Sequence, residues 1–175
     1  MSRVSYTEVD AQPDPLDQVH YRLFFPRIPG ATLSTQTLEI NTQTAVWAGS
    51  SNEVYEVTRH GWTKSYRGRA TWPRTLSLAF VELSNAGVTK LLKGWKEETA
   101  GSESNNSQGF SNEYKVTAIL EIYDTTGEVA HTQTFEGLMI QEVQDTNMDG
   151  SASGQVLINA TFKYDRVGES DIPVL

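Results

Sequence analysis

A mainly β fold, a two-sheet sandwich or barrel of about seven strands with one flanking α-helix, is predicted by three features of the 175-residue sequence. Apolar side chains recur at every second position in segment after segment, and turn-forming Gly, Pro and Asp separate those segments. The apolar spacing switches to threes and fours only once, near the middle of the chain. A chain of this length is expected to form one domain burying roughly 70% of its unfolded surface. It has no cysteine, which removes disulfides, thiolate metal sites and cysteine nucleophiles.

Residues 1–17, MSRVSYTEVDAQPDPLD, show no sustained period, and Pro13 and Pro15 remove backbone donors, so this stretch is expected to be an arm. It lacks a leader's apolar run, and no stretch approaches the roughly 20 apolar residues of a membrane span, so a soluble protein made in the cytoplasm is expected. The main domain is expected over 18–166. Strand one covers 19–25, with Val19, Tyr21, Leu23 and Phe25 opposite His20 and Arg22, and stops at Pro26 and Pro29-Gly30. The Thr-rich 33–42 suits a strand with a wet outer face, and 53–58 is a third strand. Residues 61–73 read as a hairpin rich in aromatic and basic residues, a composition of interfaces more than of cores.

From 74 to 83 a strand places Leu76, Leu78 and Phe80 on one face. A helix over 84–98, capped by Ser84 or Asn85, aligns Val88, Leu91, Leu92 and Trp95 in one stripe. Residues 99–112 form a Gly/Ser/Asn loop with little to bury. Three further strands follow over 113–123, 128–143 and 154–165. The first two are joined by the turn at Asp124 to Gly127, and a bulge is expected at Gly137. The tail, 167–175, is again irregular.

Catalytic motifs are sparse. Asp145, Asn147, Asp149 and Gly150 open like an EF-hand loop, but position twelve is Val156, so an Asx-rich turn is the better reading. His20, His60 and His131 have no metal-ligand spacing. In Gly150-Ser-Ala-Ser-Gly154 the serines flank the position of a nucleophile elbow. Asn105-Asn-Ser and Asn159-Ala-Thr match the glycosylation sequon, which has meaning only on secretion. No enzyme, metal or cofactor is expected. Fourteen basic against twenty-two acidic side chains, a net charge of −8, disfavour a grip on nucleic-acid phosphates.

The order of segments carries a resemblance: Tyr21-Arg-Leu-Phe-Phe25, the Thr-rich second segment, the basic and aromatic hairpin, and a strand running straight into a short amphipathic helix. A polar loop then leads to Glu113-Tyr-Lys115, Tyr123-Asp124, Phe135-Glu-Gly-Leu138 and an alternating last strand. Over about 18–166 this resembles the tail tube protein of T4-like contractile-tailed bacteriophages, a family similar in fold to the tubes of related injection machines. Met139 and Ile140 depart from the aromatic and proline that the family often has after the equivalent of Gly137.

The resemblance implies a virion protein of the phage tail, present in the host cytoplasm during assembly. Hexameric rings, each subunit giving four strands to one continuous barrel, would stack into a tube for DNA ejection. Twenty-four strands at about 4.8 Å spacing and about 40° tilt make a circle on the order of 48 Å across. About 5 Å of side chain on each wall leaves roughly 38 Å, wider than a duplex of roughly 20 Å. The implied partners are the sheath, baseplate, tail terminator and tape measure proteins. DNA passes without specific binding, and no membrane anchor is involved.

On that reading Glu39, Glu56, Glu136 and Glu142, with Thr35, Gln36 and Thr37, are candidates to line the lumen. Trp62, Tyr66, Arg67, Arg69 and Trp72 are candidates for contact between rings. Glu8, Asp10, Asp14 and Asp17 of the arm, with Glu169 and Asp171 of the tail, are their acidic counterparts. The alternatives are the tube of a contractile protein-injection particle, a monomeric ligand-binding β-barrel with a closed apolar pocket, and a carboxylate-dependent glycosidase with two acids in a cleft.

Overall fold

The computed structural model of the chain describes residues 18–31, 33–101, 110–146 and 154–171, the side chains of 169–171 excepted. The acidic arm residues and the Asn147 to Gly150 part of the EF-hand-like stretch lie outside the described residues.

Strand β1 (Tyr21–Phe24) sends Leu23 into the core and Arg22 to solvent, as its alternation requires. The stretch 33–42 is not a strand. It folds as helix α1 (Gln36–Asn41) followed by the short strand β2 (Thr42–Thr44). Its apolar residues keep no steady period of two, since Leu33 and Leu38 are five apart, and of Leu38 and Ile40, two apart, the first is buried and the second exposed. Local hydrogen bonds start the turn instead, with Ser34 Oγ accepting from the Gln36 N–H at 3.3 Å and the Ser34 carbonyl from Thr37 at 3.1 Å.

Strands β3 (Ser51–Arg59) and β4 (Trp62–Thr71) form one long antiparallel hairpin, so the hairpin anticipated at 61–73 in fact begins ten residues earlier. His60 and Gly61 both have positive φ, 51° and 82°, the shape of a two-residue turn that matches strand twist. Strand β5 (Thr75–Val81) buries Leu76, Leu78 and Phe80 and runs into helix α2 (Gly87–Ala100), whose buried stripe is the predicted one. The cap differs. Asn85 Oδ1 does accept from the Gly87 N–H at 3.0 Å, but the Glu82 carboxylate takes the Val88 and Thr89 N–H groups at 3.1 and 2.9 Å, the Thr89 hydroxyl and the Leu83 N–H. Helix dipole and orphan donors converge on this one carboxylate.

A single turn, α3 (Ser111–Tyr114), precedes strand β6 (Val116–Tyr123), so Glu113 is helical and the strand starts later than its sequence suggested. After the turn that Asp124 Oδ1 holds by accepting from the Thr126 and Glu128 N–H groups comes the fifteen-residue strand β7 (Val129–Val143). Its bulge lies at Gly137, φ +67°, as expected. Strand β8 (Leu157–Lys163) buries Ile158, Ala160 and Phe162. The expected irregular tail is instead strand β9 (Arg166–Asp171), aligned on the first half of β7. Among the described side chains of β9 only Val167 packs on the core, and backbone pairing with β7, invisible to hydrophobic periodicity, orders the strand.

The main sheet runs β1-β6-β7-β8-β5-β2, all pairs antiparallel, with β9 added to β7, and it curls so that its end strands face each other. The Tyr21 hydroxyl donates to the Thr42 carbonyl at 3.4 Å across that seam. Helix α2 closes the core. Trp95 is fully buried edge-on to Phe25 (6.1 Å) and against Phe162 (5.3 Å), its Nε1–H donating to the Tyr114 carbonyl at 2.9 Å. Buried Gln133 ties the segment after β2 to β7, its Oε1 accepting from the Ala48 N–H at 3.0 Å and its Nε2 donating to the Ala48 carbonyl at 2.9 Å.

Trp95→Ala is expected to cost about 3–5 kcal/mol, read from chemical denaturation, because it empties the contact between helix and sheet. Glu82 gives a pH test. Burial raises its pKa, but hydrogen bonds from Thr89, Leu83 and Val88 outweigh that and hold it below the ordinary carboxylate value. Its stabilisation is therefore complete above an ordinary Glu pKa of about 4.3 and fades as pH falls through the lower folded value. Glu82→Gln should melt below wild type at neutral pH, with the gap closing in acid; a gap constant with pH would remove the carboxylate from the cap.

Candidate functional site

The hairpin stands apart from the rest of the described chain. Neither β3 nor β4 is paired with any other described strand, and the two form a separate two-stranded sheet. Almost every residue along both strands is exposed. A lone two-stranded ribbon is marginal in water, since it has no third layer on which to bury either face.

Register sorts its side chains. The turn pairs Arg59 with Trp62, and alternation then places Val57 opposite Lys64 and Tyr55 opposite Tyr66 on the same face. The Tyr55 and Tyr66 rings stack at 5.5 Å, although the residues are 56% and 44% exposed, and Trp62 is 79% exposed. The other face is polar. Thr58 and Thr63 share a hydrogen bond at 2.9 Å, and the Ser65 hydroxyl donates to Glu56 at 3.5 Å, with Val54 and Arg67 following. Near its base the register shifts at Gly68, where a Cβ would meet the Glu53 carbonyl at 2.9 Å, so a side chain there would push the strands apart.

Of the anticipated contact residues, Trp62, Tyr66, Arg67 and Arg69 lie together on β4. Trp72 is exposed but sits past the hairpin, beside Arg74, Tyr164 and Arg166 at the junction of β8 and β9. Sequence reasoning missed Tyr55. Counting back from His60-Gly61 as a two-residue turn would have paired it with Tyr66.

The anticipated lumen residues scatter. Glu56 is exposed on the hairpin, and Glu142 is exposed near the end of β7. Glu136, on β7, pairs with Arg166 Nε at 3.3 Å. Thr35, Gln36, Thr37 and Glu39 belong to α1 and its start, not to a strand. The Glu39 side chain is only 5% exposed and binds Arg22 at 3.1 Å, so it is not directed to solvent. Glu169 and Asp171 lie on β9.

At the seam of the curled sheet an open groove of about 680 Å³ is lined by Val19, Tyr21, Trp47, Leu120 and Ile122 among others. Buried His131 stacks on Trp47 at 4.6 Å. Among the described residues no three His, Asp or Glu side chains are arranged to hold a metal, and no helix is long and apolar enough to cross a membrane.

No protein-family model matches the chain. Over 77 residues it is 30% identical to the tail tube protein of Serratia phage KSP90, a match spanning 44% of this chain and 44% of that relative, less than half the length of each. A chain of the PVC sheath-tube complex, from an extracellular contractile injection system, superposes with a TM-score of 0.61 at 12% identity, covering 97% of this chain and 100% of that one. A chain of the anti-feeding prophage baseplate superposes with a TM-score of 0.65 at 11% identity, covering 93% and 100%. At such identities the superpositions establish the fold. The chain thus has a fold found in contractile injection machines along nearly its whole length, and over part of that length its sequence is similar to a phage tail tube protein.

Proposed function

We propose that the chain is a structural tube subunit: six copies close into a ring, and rings stack into a hollow conduit inside a contractile sheath. The observation that carries this reading is the isolated hairpin, a two-stranded sheet with both faces and both edges open among the described residues, on a chain whose fold matches components of contractile machines. Free edges gain their missing hydrogen bonds when a neighbouring copy adds its strands, and exposed aromatics lose water in the same step. Catalysis and cofactors have no part in such a role. The work is geometric, and the chemistry required is a wall that does not bind its cargo.

The net charge of −8 supports a polyanion as that cargo. Acidic and neutral walls give phosphates nothing to release counterions against, and repulsion is screened over about 8 Å at physiological salt. DNA ejection from a phage tail follows from this and from the sequence similarity to the phage tube protein. The sheath, baseplate, terminator and tape measure proteins are the corresponding partners. A tube conducting protein is the second reading, favoured by the structural neighbours from injection systems. Cargo recovered from intact particles, nucleic acid or protein, separates the two.

Purified protein examined by negative-stain microscopy should show six-fold rings or tubes; a monomer at all concentrations would overturn the assignment in favour of a ligand-binding barrel. Exchanging Arg59 and Lys64 together for Glu should abolish polymerisation while shifting subunit stability by only about 0.5 kcal/mol, as for other exposed sites. Tubes of normal length from that variant would remove the two basic side chains from the assembly contacts.

A further inference from the structure

The two faces of the hairpin differ in chemistry in a way that assigns each a direction. One face carries Tyr55, Val57, Arg59, Trp62, Lys64 and Tyr66; the other carries Val54, Glu56, Thr58, Thr63, Ser65 and Arg67. Water satisfies the second face well, since its hydroxyls and carboxylate already form a ladder across the strands. The first is costly to leave wet. It holds three large aromatic rings, two of them stacked on each other and all three exposed among the described residues. Tyr, Trp and Arg clustered without cover have the composition of an interface centre.

The charge balance names the occupant. Residues 51–71 hold four basic side chains against two acidic ones, which leaves ten basic against twenty acidic on the rest of the chain. A positive hairpin on a strongly negative body is complementary in net charge to the body of another copy and opposed by other hairpins.

We infer that the aromatic and basic face of the hairpin docks on the acidic body of a second copy of this chain, and that the Thr, Ser and Glu face is left to line the water-filled channel. This rests on the tube reading and adds to it which face of the ribbon looks inward. It makes Thr58, Thr63 and Ser65, uncharged and short, the surface that cargo slides past, with Val54 beside them and Glu56 and Arg67, of opposite charge, the ionic side chains of that face. It assigns Arg59 and Lys64 to the contact between copies, out of reach of phosphate.

The absence of native cysteine makes the test direct. Lys64→Cys and Ser65→Cys place a thiol on neighbouring residues of opposite faces. In dissociated subunits both should react with a small maleimide. In assembled tubes, confirmed by microscopy, labelling at position 64 should slow by about tenfold or more, because interface centres exclude water. Labelling at 65 should continue with the small reagent and stop with a maleimide on a polymer too wide for the channel. Val57→Cys, which keeps the charge, repeats the position-64 measurement if loss of the lysine impairs assembly. Tubes in which 65 is protected and both 64 and 57 stay open would overturn the face assignment with the tube reading intact. A wild-type protein that never assembles would defeat the tube reading itself.

Discussion

The architecture depends on one bend in one strand. Strand β7 is long enough to serve two partners along the same edge, β9 beside its first half and β8 beside its second, and the exchange takes place at Gly137. With φ at +67°, this position suits glycine, and the space where a Cβ would stand holds the Asp165 carboxylate. That carboxylate pairs with Lys115 Nζ at 2.7 Å, and the Asp165 N–H donates to the Glu136 carbonyl at 2.9 Å. A kink, an ion pair and a backbone hydrogen bond therefore hold the corner where β6, β7, β8 and β9 meet. Because the sheet turns there, its ends approach and its concave side can be filled by α2 and Trp95.

The body so formed has a continuous buried core, and the hairpin has none. Phe25, Phe80, Trp95 and Phe162 are covered by α2 and the curled sheet, although Ile40, Trp47 and Phe110 of the body stay exposed; on the hairpin Tyr55, Trp62 and Tyr66 all remain in water. On the proposed tube reading, the ribbon's aromatics would lose water against another copy, and the opposite charges of ribbon and body would speed that encounter and oppose pairing of one hairpin with another.

The helix illustrates how a polar group can be placed for the fold alone. Glu82 sits at the end of β5, where the strand passes into α2, and its carboxylate collects the donors that the first turn of a helix leaves unused. An acidic chain has many carboxylates from which an active site could be imagined. This one is fully engaged in capping, as Glu39 is engaged by Arg22 and Glu136 by Arg166. Abundant acid on such a surface reads as solvation and repulsion of anions more than as catalysis.

How much of this could be read from the sequence follows from which forces are local. The strands with alternating apolar faces, the stripe of α2, the Asp124 turn and the Gly137 bulge all follow from residue order, because each is decided by side chains within a few positions of one another. The helix at 36–41 escaped because Ser34 and Thr35 tipped a stretch with no firm apolar period. Strand β9 escaped because an existing sheet edge, far away in sequence, ordered it by backbone pairing, with the Glu136–Arg166 ion pair and Val167 as its described side-chain contacts. The hairpin's composition was plain from the start, but its two faces were not. Which aromatic stacks on which, and which side is left polar, depends on the register set at His60 and Gly61, and a shift of one residue would exchange the faces. By itself the sequence determined a β-rich body, one amphipathic helix and a cluster of aromatic and basic residues with no core to enter. Only tertiary structure decided that these residues stand on a separate ribbon with a polar face and an aromatic, basic one, since strand pairing across a turn fixes orientation and composition does not.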